Sequence, residues 1–154
     1  MEGETLSSTE LKGKILVINF WYIGCVPFRA EILALNILAE KYEKDVLFLP
    51  FAKDDIASLK KFVQKSLFIF NRSLVLTNMQ TLFCIVAGHP TNMIVDKEGK
   101  FTLMFSGGRV DEKASEEVVN RFEPTIIKLL SKKDPIFSTH SPAYRLVADQ
   151  FRWA

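Results

Sequence analysis

The residue best suited to chemistry in this sequence is Cys25, which stands between an apolar segment and the start of a predicted helix. A cysteine at a helix N-terminus faces backbone N–H groups that lack partners and the positive end of the helix dipole. Both favour the thiolate, so we expect the pKa of Cys25 to lie below the free value of about 8.5. A thiolate attacks a disulfide sulfur or a small oxidant. The sequence therefore predicts thiol chemistry at this position.

The second cysteine, Cys84, and the two histidines, His89 and His140, have a spacing that matches no metal site. We accordingly predict no metal and no cofactor. Two cysteines are also too few for a scaffold stapled by disulfides. We expect Cys84 to point into the core as a small hydrophobic residue. As a resolving partner for Cys25 it would need its Cα within about 7 Å.

The elements that position Cys25 are a strand before it and a helix after it. The continuous β-branched and apolar run Ile15–Trp21 predicts a strand buried on both faces. Gly24 and Pro27 mark a tight junction, and apolar residues at helical spacing predict a helix over residues 29–42.

Further elements follow along the chain. The pattern predicts a strand over 45–52 that bends or ends at Pro50, and a helix over 56–64 capped by Asp54 or Asp55. It then indicates an irregular apolar stretch over 68–76, a short helix to about residue 83, a hairpin of strands over 91–95 and 100–105, and a helix over 111–131 kinked at Pro124. This order predicts an α/β fold, a mixed central sheet flanked by helices on both faces.

Two motifs carry a family resemblance. The first is Gly13-Lys14 and the strand ILVINFW, followed by CVPFRAE over residues 25–31; the second is AGHPTN over residues 87–92, ahead of MIVDKEGK. In this order and spacing they resemble the thioredoxin superfamily, and more closely its TlpA/ResA group of envelope thiol-disulfide oxidoreductases. The resemblance implies a thioredoxin-like domain over residues 11–131, with Pro90 as the cis-proline.

The resemblance also implies roles for neighbours of Cys25. The loop with His89 and Pro90 would lie against the cysteine, where an imidazolium would lower the pKa of the thiol further. Glu31 would relay protons, or face solvent as an ordinary helix residue. The predicted site thus comprises Cys25 and its neighbours Trp21, Tyr22, Gly24, Val26, Pro27, Phe28, Arg29, Glu31, His89 and Pro90. Within this set, Trp21 and Tyr22 would form the wall beside the thiol, with Trp21 alternatively in the core, and Arg29 would supply positive charge or face water.

Phe28 is the departure from the family pattern, because it stands where the family has its second, resolving cysteine. A dithiol cycle within this motif is chemically excluded. Two interpretations follow. In the first, Cys25 acts as a monothiol toward protein thiols or disulfides, and a second thiol resolves the adduct. In the second, the chain is a redox-inactive module that binds an extended peptide in the cis-proline groove, with Phe28 adding apolar surface beside it.

Composition restricts the partners and the location. The net charge of +2, from 20 basic and 18 acidic side chains, indicates neither a nucleic-acid groove nor a polybasic membrane anchor. No stretch approaches the roughly 20 apolar residues that cross a bilayer. Residues 1–10 are polar, without the apolar core of a signal peptide. The chain is therefore cytoplasmic if complete, or, as the resemblance implies, a periplasmic or envelope protein whose leader was removed.

The predicted organisation is a polar segment over residues 1–10, the domain over 11–131 and an extension over 132–154. In the extension, Ser141-Pro142 is a helix start, and Tyr144, Val147 and Phe151 then share one face, with Trp153 nearby. Such an aromatic stripe packs on its parent domain, covers an apolar patch near the motif, or supports a dimer.

Overall fold

The computed structural model describes residue 11, residues 13–65 and residues 88–132 of the 154-residue chain. In chain order these residues form strand β1 (Ile15–Trp21), helix α1 (Val26–Lys41), strand β2 (Val46–Ala52), helix α2 (Ile56–Lys65), strands β3 (Thr91–Val95) and β4 (Phe101–Ser106), and helix α3 (Ala114–Leu130). The predictions for residues 1–10, for 68–83, for Cys84 and for the C-terminal extension beyond residue 132 lie outside the described residues.

The described strands form a mixed sheet in the order β2-β1-β3-β4. Strand β1 pairs parallel with β2 and antiparallel with β3, while β3 and β4 form an antiparallel hairpin. In the hairpin turn, the Asp96 side chain accepts hydrogen bonds from the backbone N–H groups of Glu98 and Lys100, and Gly99 adopts a φ of 78° that favours glycine. The predicted mixed sheet is confirmed.

Strand β1 is buried along its whole length, as its apolar run predicts. Ile15, Val17 and Trp21 join side chains of all three described helices in one hydrophobic cluster. Leu16, Ile18 and Phe20 alternate with them and are buried as well, so both faces of the sheet are covered. The predicted helical cover on that second face lies outside the described residues.

Helices α1 and α3 lie side by side and run in the same direction. Near their starts, the hydroxyl of Ser115 donates to the carbonyl of Ala30 at 3.4 Å. Near the end of α1, Lys41 forms an ion pair with Glu123, and the Tyr42 hydroxyl donates to the same carboxylate at 2.8 Å. This packing holds the first turn of α1, which carries the cysteine motif, against the sheet.

Apart from shifts of one residue, three elements differ from the predictions. Helix α1 begins at Val26 rather than residue 29, because Pro27 lies in the first turn, where a missing N–H costs nothing. Strand β2 continues through Pro50 to Ala52; β2 is an edge of the described sheet, where proline is tolerated. Helix α3 begins at Ala114 and continues unbroken through Pro124.

Candidate functional site

Cys25 is the N-cap residue of α1, and its side chain is covered. Its backbone N–H donates to the Tyr22 carbonyl at 2.9 Å, and its own carbonyl accepts the N–H of Arg29 at 3.1 Å. Only 1% of the residue is exposed to solvent. The helix position matches the sequence prediction, but this burial opposes the predicted thiol chemistry, which needs a sulfur that a partner can reach.

The pKa of the Cys25 thiol lies above its ordinary value, which is opposite to the prediction. Burial is the largest cause, because it penalises the charged form. A backbone hydrogen bond from Phe28 lowers the pKa, the charge of Glu31 raises it, and a backbone hydrogen bond with Tyr22 lowers it. The helix N-terminus therefore acts in the expected direction, but desolvation outweighs it. The thiol is protonated at neutral pH.

Phe28 occupies the family's second-cysteine position and is completely buried. Its ring stacks on that of Trp21, with centroids 4.3 Å apart and planes inclined by 21°. Both rings belong to the main hydrophobic cluster, which settles Trp21 as a core residue. The expectation that Phe28 would add apolar surface beside a groove is wrong, because its ring points into the protein.

Glu31 lies near the start of α1 and is buried. Burial is the main reason that its pKa rises to about 7; the Asn92 amide lowers it, the charge of Glu117 raises it and Arg121 lowers it. One carboxyl oxygen, Oε2, has no hydrogen-bond partner. The alternative of a solvent-facing glutamate is wrong. Because its charge raises the pKa of Cys25, Glu31 is electrostatically coupled to the thiol.

Sequence reasoning missed a pair of asparagines beside Glu31. Asn19 of β1 donates through Nδ2 to Oδ1 of Asn92 on β3, and both residues are buried. Asn92 is close enough to Glu31 to lower the pKa of its carboxyl group. The Nδ2 atom of Asn92 nevertheless makes no well-formed hydrogen bond. Polar residues inside the apolar strands INFW and TNMIV were the available signal, since buried amides require partners.

The loop after β4 closes over Glu31 from the other side. A Cβ at Gly108 would overlap the Glu31 carboxyl group and lie 3.4 Å from Cβ of Pro27. Only a glycine allows the backbone to approach this closely. The carboxyl group is thus enclosed by α1, β3 and this loop.

His89 and Pro90 are joined by a cis peptide bond. The His89 ring contacts Tyr22 edge-on at 5.4 Å between centroids. Burial and the charge of Lys53 hold the pKa of the imidazole below its usual value, against a hydrogen bond with the Gly88 backbone that raises it. The imidazole is therefore neutral at pH 7, and the expected imidazolium beside Cys25 is wrong.

A cavity of about 430 Å³ lies next to His89. It is lined by Tyr22, Lys53, Asp54 and His89. Asp54 accepts the backbone N–H of Ile23 at 2.7 Å, which anchors the turn before Cys25, while Asp55 caps α2 by accepting the N–H of Ser58 at 2.9 Å. His89 lines the cavity, but its Nε2 is buried and has no hydrogen-bond partner. Sequence reasoning missed Lys53 and Asp54 as site residues.

The remaining predicted site residues border the motif. Gly24, Val26 and Arg29 are exposed, and Pro27 is partly buried. Arg29 does not contribute to the pKa of Cys25, so its water-facing alternative agrees with the structure. Across the described part of the chain, no group of three or more His, Cys, Asp or Glu residues could hold a metal ion. No described helix has the length and apolar character that crossing a bilayer requires.

The model of the AhpC/TSA family matches residues 1–111. The thiol-disulfide oxidoreductase ResA of Bacillus thuringiensis subsp. konkukian is 28% identical over 127 residues, which is 80% of this chain and 72% of that protein. ResA of Bacillus anthracis is 29% identical over 117 residues, 73% of this chain and 66% of that protein. These matches confirm the resemblance to the TlpA/ResA group.

One solved structure shows the fold independently. A thiol:disulfide interchange protein of the thioredoxin family from Chlorobium tepidum aligns with a TM-score of 0.65 and 21% identity, covering 84% of this chain and 89% of that one. At this identity the likeness establishes the thioredoxin-like fold alone.

Proposed function

This chain belongs to the AhpC/TSA family, and we propose that it is a member of the TlpA/ResA group of thiol-disulfide oxidoreductases that binds proteins or peptides. The observation that carries the proposal is a contrast within the site. The cysteine that the structure describes is covered and protonated, whereas the neighbouring cavity is open and is lined by Tyr22, Lys53, Asp54 and His89, whose buried Nε2 has no partner.

The covered cysteine argues against dithiol exchange. Exchange needs a thiolate that can reach the partner's sulfur and a second thiol that resolves the mixed disulfide. Burial opposes the first requirement at Cys25, and Phe28 replaces the second thiol with a ring stacked on Trp21. Restoring a cycle would take both a new thiol and a rearranged core.

The cavity beside His89 favours binding of an extended peptide. Because the imidazole is neutral, one of its two ring nitrogens can accept a hydrogen bond, and Nε2 has no partner within the protein. A peptide N–H would supply the missing donor once the ring turns so that this buried nitrogen faces the cavity. Lys53 and Asp54 offer charges of both signs to the side chains of such a peptide, and the exposed ring of Tyr22 offers an apolar contact.

A second candidate function is a monothiol that reacts only after its cover opens. It is favoured by Glu31, whose pKa of about 7 suits it to accept the thiol proton. The Cys25 thiolate would attack a partner's disulfide, forming a mixed disulfide as the partner's S–S bond breaks and a thiolate leaves. A thiol of another protein would then resolve the adduct.

Partners and location follow from the resemblance in both cases. We infer that the partners are proteins carrying thiols or disulfides, or extended segments of them. We also infer a cell-envelope location. A structurally similar disulfide oxidoreductase from Mycobacterium tuberculosis, aligned at a TM-score of 0.58, is described as secreted.

Selection from a displayed peptide library distinguishes the two functions. We expect wild-type protein and Cys25→Ser to select the same extended peptides under reducing conditions. His89→Ala should lower the affinity for those peptides about 2- to 10-fold, since one hydrogen bond is lost. Ile56→Ser, on an exposed face of α2, is the matched control and should bind normally. Failure to select any peptide, together with proteins captured only as disulfides to Cys25, would establish the monothiol function instead.

A further inference from the structure

The ring of Tyr22 lies against two parts of the site. A Cβ atom added to Gly24 would be 3.1 Å from Cε2 and 3.4 Å from Cδ2 of this ring, so the ring passes close over the glycine backbone. The centroid of the His89 ring is 5.4 Å away, and the two ring planes are inclined by 67°. Tyr22 therefore has one neighbour in the turn before α1 and another in the cis-proline loop.

The backbone that carries this ring is fixed by hydrogen bonds. The N–H of Cys25 donates to the Tyr22 carbonyl at 2.9 Å, which closes the turn. The N–H of Ile23 donates to the Asp54 carboxylate at 2.7 Å, which ties the same turn to the end of β2. A side chain on a fixed backbone loses less conformational entropy when a partner binds. The position of the Tyr22 ring is thus set in advance.

The Tyr22 ring is nevertheless available for contact. Tyr22 is 39% exposed, and it lines the cavity of about 430 Å³ together with Lys53, Asp54 and His89. Among these four lining residues, Tyr22 is the only one with a large hydrophobic body. Rigidly held tyrosine rings in pockets are among the side chains that contribute most to binding free energy. Tyr22 is therefore the strongest anchor that the cavity offers.

The charges around the cavity favour an uncharged partner for this ring. Lys53 and Asp54 carry opposite charges, and the imidazole of His89 is neutral at pH 7. The lining therefore has no net charge that would attract an acidic or a basic side chain. Aromatic side chains and proline pack well against a tyrosine ring without needing a charge.

We propose that Tyr22 sets the peptide preference of the cavity by binding an aromatic or proline residue of the partner, and that Gly24 is its positioning residue. This role rests on the proposed peptide-binding function. Gly24 has no positive φ, so the backbone does not require glycine here. What requires it is the space that the Tyr22 ring occupies.

Selection of random peptides displayed on phage, followed by calorimetric titration of the best-binding peptide, tests the role of Tyr22. We expect the selected peptides to share an aromatic or proline residue at one position. Tyr22→Ala should lower the affinity at least about tenfold, while Tyr22→Phe, which keeps the ring, should stay within about twofold of wild type. Phe101→Ala is the matched control, since Phe101 is a 45% exposed aromatic residue on β4, and it should bind normally.

A double-mutant cycle tests the role of Gly24. Gly24→Val should lower the affinity about 3- to 10-fold in the wild-type background, because its side chain displaces the ring. In the Tyr22→Ala background it should cause no further loss. Gly24→Ala adds only the Cβ atom and should have a smaller effect in the same direction. The urea midpoints of these variants should match those of their parents, which separates positioning from a general loss of structure.

The outcomes separate this proposal from the proposed function. If peptides are selected but Tyr22→Ala binds them as tightly as Phe101→Ala does, peptide binding stands and the role of Tyr22 is overturned. An equal effect of Gly24→Val in both backgrounds would overturn the role of Gly24. Selected peptides with a shared charged residue, and no shared aromatic or proline residue, would overturn the stated preference. If the wild-type protein selects no peptide, the proposed function and this proposal are both overturned.

Discussion

At the scale of single residues, the state of Cys25 follows from two opposed effects. Backbone N–H groups at the start of α1 lower the pKa of the thiol, while burial and the charge of Glu31 raise it. Burial is the largest of these effects, because a thiolate removed from solvent loses more hydration free energy than the N–H groups at one helix end supply. The same reasoning applies to Glu31, whose own burial raises its pKa to about 7.

Glu31 should make the stability of the protein depend on pH. Its carboxyl group titrates near 4.5 when unfolded and near 7 when folded, so the folded state binds the proton more firmly between these values. Stability therefore falls as pH rises from about 4.5 to about 7, by about 3 kcal/mol. Urea unfolding at pH 5 and pH 8 should show this loss in the wild-type protein and not in Glu31→Gln.

The control for this measurement is Glu40→Gln, an exposed glutamate on the same helix. It should keep the full pH-dependent loss. His89 contributes in the opposite direction, because its lowered pKa makes the folded state bind its proton less firmly. Comparing wild type with Glu31→Gln cancels that contribution. If wild type and Glu31→Gln differed in stability by the same amount at pH 5 and at pH 8, Glu31 would not be a buried carboxyl group with a raised pKa.

The state of His89 should respond to Lys53. Lys53 lowers the pKa of the imidazole through its charge, so Lys53→Met should raise that pKa toward the ordinary value near 6.5. Titration of the ring protons by NMR measures the change directly. Lys60→Met, an exposed lysine on α2, serves as the control. An unchanged His89 pKa in Lys53→Met would remove Lys53 from the electrostatics of the cavity.

At the scale of elements, the site is made where α1, β3 and the loop after β4 meet. Helix α1 supplies Glu31, strand β3 supplies Asn92, and Gly108 of the loop closes over the carboxyl group. None of these contacts is local in sequence. The enclosure depends on how the sheet brings the hairpin beside α1.

Gly108→Ala tests this enclosure. The new Cβ would overlap the Glu31 carboxyl group, and we expect a loss of about 1–3 kcal/mol in the free energy of unfolding. In a Glu31→Ala background the same substitution should cost much less, because the overlapping atoms are gone. Urea denaturation of the four proteins of this cycle measures the coupling. Additive effects would mean that the loop does not pack on Glu31.

At the scale of the whole molecule, the sequence predicts the elements well because their signals are local. The apolar run of β1 and the helical spacing after Cys25 identify the strand and the helix that carry the motif. The order of elements then leads to the mixed sheet, and the two motifs identify the family.

The chemistry of the site could not be predicted in the same way. The pKa of Cys25 depends on a balance between desolvation and the helix end, and the amount of burial is set by packing between distant segments. Asn19 and Asn92 are 73 positions apart, so their pairing becomes visible only in the folded sheet. Lys53 and Asp54 follow β2 and carry no motif, although they line the cavity.

The pH dependence of Cys25 alkylation in the native, full-length chain tests the central claim most directly. Iodoacetamide is the probe, and mass spectrometry separates Cys25 from Cys84. We predict that native Cys25 reacts at least about tenfold more slowly than free cysteine at pH 7, with an apparent pKa above about 8.5, and that urea restores the free rate. Native alkylation as fast as that of free cysteine at pH 7, with an apparent pKa below about 8.5, would contradict a covered and protonated thiol.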